Sequence, residues 1–176
     1  MLDNQEDQLL NKMYYEVGEF HKAFGHGVAN SPIVMDEKTT NSRSRWIGEE
    51  LVELLRATFP DENDFKMSYN HLIQGLDNAK EKELLIGSPK DKLVGQVDAL
   101  IDILYFVMGS FVEMGVKPYQ LFKIVHAANM GKLWPDGKPR YREIDGKIMK
   151  PVNWESDFAP EPKLREEIKR QIAEAV

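Results

Sequence analysis

The sequence predicts an all-α fold: a bundle of four or five main helices, with a small β-hairpin near the C-terminus. Three observations predict it. Apolar residues recur at three- and four-residue steps over most of the 176 residues. Gly and Pro gather between those stretches. Turn signals at Asp136-Gly137 and Asp145-Gly146, the second flanked by short segments within 141–150, stand apart near the C-terminus. The length fits one domain spanning 1–176, with 133–160 forming the hairpin and an irregular tail.

The elements follow in order. Residues 5–24 place Leu9, Leu10, Met13, Tyr14, Val17, Phe20 and Phe24 on one helical face, and Gly25 and Gly27 end it. Residues 25–40 hold Gly, Pro, Asn, Ser and Thr and read as a loop. A second helix runs from Asn41 or Ser42, either a suitable N-cap, to Phe59, where Pro60 stops it. Residues 61–66 are polar and acidic, and helical spacing returns over 67–86. Gly87, Ser88 and Pro89 start the next helix, which continues to Gly115. Another begins at Pro118, a good first-turn residue, and ends by Gly131. Turn signals at Asp136-Gly137 and Asp145-Gly146 follow, with Tyr141–Ile144 and Lys147–Lys150 flanking the second as hairpin strands. Pro151 to Pro162 is irregular, with Trp134 and Trp154 as packing anchors, and 163–175 suits a charged terminal helix.

Composition narrows the function. A net charge of −6 disfavours nucleic acid as a partner. The absence of cysteine excludes disulfides, zinc–thiolate sites and cysteine nucleophiles. The acidic, polar start is no signal peptide, and the most apolar run, around 97–112, is too short and too charged to span a membrane. The expectation is a cytoplasmic protein. An anionic substrate on such an acidic chain needs a cation or a local Lys/Arg cluster.

Two acidic features carry chemistry. Glu49, Glu50 and Glu53 lie within an arc of about 100° on the second helix, with Ile47, Leu51, Leu54 and Leu55 roughly opposite. A solvated face is the plain alternative for such a cluster. The second feature is VDALIDILYFVM at 97–108, apolar almost all round and therefore expected to be buried. Asp98 and Asp102 sit inside it, one turn apart. Burying like charges at that spacing requires protonation, basic partners or a hard cation. Arg43, Arg45 and Arg56 flank the first acidic cluster and are the candidate basic partners. A Mg²⁺ site, or equally a Mn²⁺ site, explains both helices at once, since these ions take oxygen ligands and leave positions for phosphates. A di-iron bundle uses Glu-x-x-His, and no histidine here follows a glutamate by three.

EELVE at 49–53, DALIDILYFVMG at 98–109, FHKAFG at 20–25 and NMGKLWPDGKPRYREIDGKIMKP at 129–151 together resemble the all-α nucleoside triphosphate pyrophosphohydrolases, the MazG-like and phosphoribosyl-ATP pyrophosphohydrolase-like proteins. The resemblance omits 61–90 and the last fifteen residues. It implies Mg²⁺-dependent cleavage of a nucleoside triphosphate between the α- and β-phosphates, giving a monophosphate and pyrophosphate. It further implies a homodimer or homotetramer with sites completed across subunits. Glu50, Glu53 and Asp98 become the main metal ligands, with Glu49 and Asp102 for a second ion or the attacking water. Lys132, Lys138, Lys147 and Lys150, with Arg140 and Arg142 nearby, are the positive groups expected to meet the triphosphate, a solvated hairpin being the plain alternative. The resemblance favours Asn129, Lys132 and Lys147, and it places Phe20, His21 and Phe24 near the nucleoside pocket. Trp46, on the acidic arc, is a candidate for base stacking or for core packing.

The chain departs from the family's Glu-x-x-Asp pattern. The glutamate position is Gly95 if Asp98 is the family aspartate, and Ala99 if Asp102 is. A non-catalytic nucleotide- or metal-binding protein with a degenerate site is the alternative this departure raises.

Overall fold

A computed structural model describes residues 4–144 and 146–175. In chain order the helices are α1 (Asn4–Leu10), α2 (Lys12–Ala23), α3 (Glu37–Thr58), α4 (Glu62–Ile86), α5 (Lys92–Met114), α6 (Pro118–Met130), α7 (Trp154–Phe158) and α8 (Glu161–Glu174). The all-α expectation is met. No strand forms among the described residues.

Aspartates set three helix starts. Asp36 accepts from the Thr39 N–H, Asp61 from those of Asn63 and Asp64, and Asp91 from those of Leu93 and Val94. Each bond satisfies a donor that the first turn leaves unpaired. Two helices therefore begin earlier than expected: α3 at Glu37 rather than Asn41, and α4 at Glu62 rather than 67. The fifth starts later, at Lys92, because Asp91 caps it. The first predicted helix is broken at Asn11 into α1 and α2. The short α7 falls in the stretch expected to be irregular.

The hairpin is corrected. Tyr141 and Ile148 form one isolated antiparallel bridge, with no ladder among the described residues. Pro139 and Pro151 bracket the segment, and proline cannot donate to a ladder. A two-stranded ribbon this short also has little independent stability. Asp145, half of the expected turn, lies outside the described residues.

The chain divides into two compact units, residues 1–30 with 104–176, and residues 31–103. In the first, α6 packs against α2, α7 and α8. Phe24, Leu121, Ala128 and Trp154 are its buried hydrophobic residues. The Trp154 indole N–H donates to the Ala128 carbonyl at 2.8 Å, so this tryptophan anchors the tail as expected. Gln171 of α8 clamps the turn before α6, accepting from the Lys117 N–H at 2.8 Å and donating to its carbonyl at 2.9 Å. Gly131 meets the Phe158 ring so closely that an added Cβ would lie 2.3 Å from its Cγ. Gly131→Ala should therefore cost about 1–3 kcal/mol by overpacking, read as a Tm several degrees lower in a thermal melt.

In the second unit, α3 packs against α4. The Arg56 guanidinium ties α3's end, donating to the carbonyls of Phe59 and Pro60 at 3.1 and 3.0 Å and lying over the Phe65 ring of α4. The Gln96 amide of α5 pairs with both backbone groups of Met35, at 2.8 and 3.1 Å. None of the described residues of this unit is buried.

The expectation that the 97–112 helix is buried fails for the single chain. Ile101, Leu104, Tyr105 and Phe106 are 57%, 54%, 76% and 73% exposed, and Asp98 and Asp102 are exposed with them. An all-round apolar helix reports that its faces need cover. It does not specify that the cover comes from the same chain.

Candidate functional site

The residues expected to hold metal all lie in the 31–103 unit, and those expected to bind substrate all lie in the other. On α3, Glu49, Glu50 and Glu53 are exposed. Arg45 approaches Glu49 at 3.6 Å one turn away, a solvent-screened pair of small energetic value. Glu50 and Glu53 have no basic partner within ion-pair distance among the described residues, and neither do Asp98 and Asp102 on α5. The arginine-pairing alternative thus accounts for Glu49 alone among these carboxylates. Arg56 is occupied with the end of α3, and Arg43 lies over the Trp46 ring at 5.0 Å. Trp46 remains 37% exposed, so core packing does not describe it. Among the described residues no three His, Asp or Glu side chains converge on one metal position.

Gly95 explains itself sterically. A Cβ there would stand 2.8 Å from Cγ of Pro89, inside ordinary contact distance. The proline ring fills the space that a glutamate stem would need. Gly95→Glu is expected to lower Tm and to leave catalytic activity no higher than in the parent. A large gain of activity at unchanged Tm would show that the missing acid belongs at 95. Ala99, by contrast, is exposed.

In the other unit, α2 ends in an aromatic cap. Phe20 stacks on Phe24 at 4.3 Å between ring centres and on His26 at 5.7 Å. Phe24 is 2% exposed, whereas Phe20 and His21 keep part of their surface accessible. Gly25 takes a left-handed φ of 65°, which turns the chain so that the His26 N–H reaches the His21 carbonyl at 2.8 Å. The His21 Nδ1 lies 2.9 Å from the Gly27 carbonyl.

The basic segment follows α6. The Lys132 ammonium donates to Asn129 Oδ1 at 2.7 Å. Burial pushes its pKa down, and the neighbouring Lys150 charge pushes it the same way. Neither lysine has a carboxylate within ion-pair distance among the described residues. Lys150 sits 3.5 Å over the Trp154 ring, and Arg140 sits 3.8 Å over Trp134. Lys147 is exposed, and its carbonyl accepts from the Arg142 N–H at 2.9 Å. Lys132 and Lys150, held beside one another with no carboxylate within ion-pair distance among the described residues, form a region that attracts anions. His26 and the Lys132–Lys150 juxtaposition are features the sequence did not single out. Both depend on turns that bring residues together outside helical spacing.

Residues 17–129 match the phosphoribosyl-ATP pyrophosphohydrolase family. The chain is also similar to a candidate NTP pyrophosphohydrolase from Exiguobacterium sp. 255-15, known by crystal structure. That similarity is 43% identity and a TM-score of 0.86 over 93% of this chain and 98% of the other. No curated protein matches. A helical chain carrying acids on two long helices is thereby one of the all-α NTP pyrophosphohydrolases. It belongs to the phosphoribosyl-ATP pyrophosphohydrolase family. Lys132, Lys147 and Lys150 fall beyond the residues matched to that family. No single helix among the described residues is long and apolar enough to cross a membrane.

Proposed function

We propose that this chain is a Mg²⁺-dependent hydrolase, with Mn²⁺ as the alternative ion, that cleaves a nucleoside or deoxynucleoside triphosphate between the α- and β-phosphates. Water adds across that anhydride bond, and the products are a nucleoside monophosphate and pyrophosphate. The observation that carries the reading is the set of four exposed carboxylates, Glu50, Glu53, Asp98 and Asp102, without basic partners in a chain of this family.

The donor chemistry fits the ion. The five acids, with Glu49, offer oxygen alone, which suits Mg²⁺ or Mn²⁺ over softer metals. Glu50, Glu53 and Asp98 would hold the main ion, and Glu49 and Asp102 would serve a second ion or orient the water, once brought together, since no three of the described acids converge in the single chain. Bound there, the cation supplies charge neutralisation for the phosphates and lowers the pKa of water. Lys132, Lys147 and Lys150 take phosphate oxygens, with Asn129 fixing the Lys132 ammonium. The exposed part of the Phe20–His21 cap takes the nucleoside.

The working form is a homodimer or homotetramer. The apolar residues exposed along α5, Ile101, Leu104, Tyr105 and Phe106 among them, support this reading, because so contiguous an apolar surface is rare on a monomer.

Incubation of the pure protein with a panel of NTPs and dNTPs plus Mg²⁺ tests the reading. The expected result is pyrophosphate release from at least one of them. No release from any, with no metal binding by calorimetry, would overturn it. Binding without turnover would instead support a non-catalytic nucleotide-binding protein, the reading favoured by Gly95.

A further inference from the structure

The aromatic cap of α2 and the basic segment after α6 are joined by one side chain. The Tyr141 hydroxyl donates to the Phe24 carbonyl at 2.5 Å, across 117 residues of sequence. That carbonyl stands at the C-cap of α2, where the last carbonyls lack helical partners. Phe24 carries Phe20 on its ring, and Phe20 carries His26. Tyr141 is itself held in the antiparallel bridge with Ile148. Around that bridge the Arg142 N–H reaches the Lys147 carbonyl at 2.9 Å, and the Met149 N–H reaches the Arg140 carbonyl at 2.8 Å. Lys147 and Lys150 therefore flank Ile148, the residue bridged to Tyr141.

We propose that Tyr141 is a positioning residue that sets the spacing between the aromatic surface taking the base and the lysines taking the phosphates. This rests on the hydrolase reading above. A nucleotide has a fixed distance from base to phosphate chain, so both ends bind together only when the two protein surfaces are held in register. A single hydroxyl-to-carbonyl bond between the surfaces supplies that register. A phosphate chain with no base makes no such demand. Tyr141 thus acts on affinity for the whole nucleotide and leaves the grip on phosphate alone unaltered.

Tyr141→Phe tests this, since it removes the donor and keeps the ring of a residue that is 43% exposed. KM for the accepted nucleotide should rise about fivefold to tenfold, the worth of one hydrogen bond, while kcat stays within about twofold. Inhibition by inorganic tripolyphosphate should be unchanged. Replacing Tyr141 with p-aminophenylalanine, which restores a donor, should return KM toward the parent value. An unchanged KM, or equal weakening of nucleotide and tripolyphosphate, would overturn the proposal and leave Tyr141 as a cap for α2. So would failure of Tyr141→Phe to fold while the p-aminophenylalanine protein folds and binds normally. If the parent protein releases no pyrophosphate, the hydrolase reading falls separately. Calorimetric binding of nucleotide and tripolyphosphate then makes the same comparison for Tyr141, with the same outcomes on either side.

Discussion

Replacing Glu53 with glutamine is expected to lower kcat by at least about a hundredfold, the usual scale when one group that organises transition-state charge is removed. The fold should be untouched. Glu53 is exposed on α3 and makes no ion pair among the described residues, and glutamine keeps its size and helix preference. The loss should therefore appear without a fall in Tm. It should be accompanied by loss of the rise in Tm that Mg²⁺ gives the parent protein, because a ligand that binds only the folded state stabilises it. Glu49→Gln provides an internal comparison. Arg45 lies 3.6 Å from Glu49, so that carboxylate already has a weak counter-charge and the effect should be smaller. Pyrophosphate release and a thermal melt with and without Mg²⁺ measure both. Undiminished turnover in Glu53→Gln would remove this glutamate from the site.

The fold was legible where apolar residues repeat. The α6 boundaries came out within a residue because Pro118 and Gly131 punctuate a periodic run. The starts of α3 and α4 lie ahead of the hydrophobic spacing for a common reason. Their first turns are polar, so hydrophobic spacing is silent there, and the caps Asp36 and Asp61 lay outside the periodic stretch. The broken first helix shows the converse, since apolar spacing continues through Asn11 although the helix does not. No hairpin ladder forms because turn residues stand without enough pairing beyond them: Gly146 has the left-handed φ of 67° that a turn wants, yet among the described residues one isolated bridge, Tyr141 to Ile148, is all that forms.

The candidate site divides in the same way. Glu49, Glu50 and Glu53 share a helix face by spacing alone, and Phe20 and Phe24 stack because four residues make one turn. His26 had no such signal, since it reaches Phe20 only after Gly25 reverses the chain. The Tyr141–Phe24 bond joins residues 117 apart, and the half-burial of Lys132 comes from tertiary packing; neither leaves a local pattern. The departure at Gly95 was visible in sequence, but its cause was not, because the Pro89 ring that excludes a Cβ is a three-dimensional fact.

Leu104→Glu separates a chain that works alone from one that works in an assembly. Leu104 is 54% exposed in the single chain, so a charge there stays hydrated and should cost the isolated fold little. It also lies about 120° around α5 from Asp98, away from the proposed ligands. Val97, Leu100, Ile101, Tyr105 and Phe106 are likewise 43–76% exposed along the same helix, and so contiguous an apolar surface is rare on a monomer. If a second copy covers α5, the new carboxylate is desolvated without a partner, at a cost of several kcal/mol per site. A symmetric interface meets that cost twice, once from each chain. Analytical ultracentrifugation should then find the parent protein as a dimer or tetramer at micromolar concentration and Leu104→Glu as a monomer. Pyrophosphate release should fall with the assembly, by at least about tenfold, even though none of the proposed ligands has been altered. A monomeric parent protein would refute the assembly outright. A Leu104→Glu protein that stays assembled and active would show that the cover of α5 lies elsewhere on the helix.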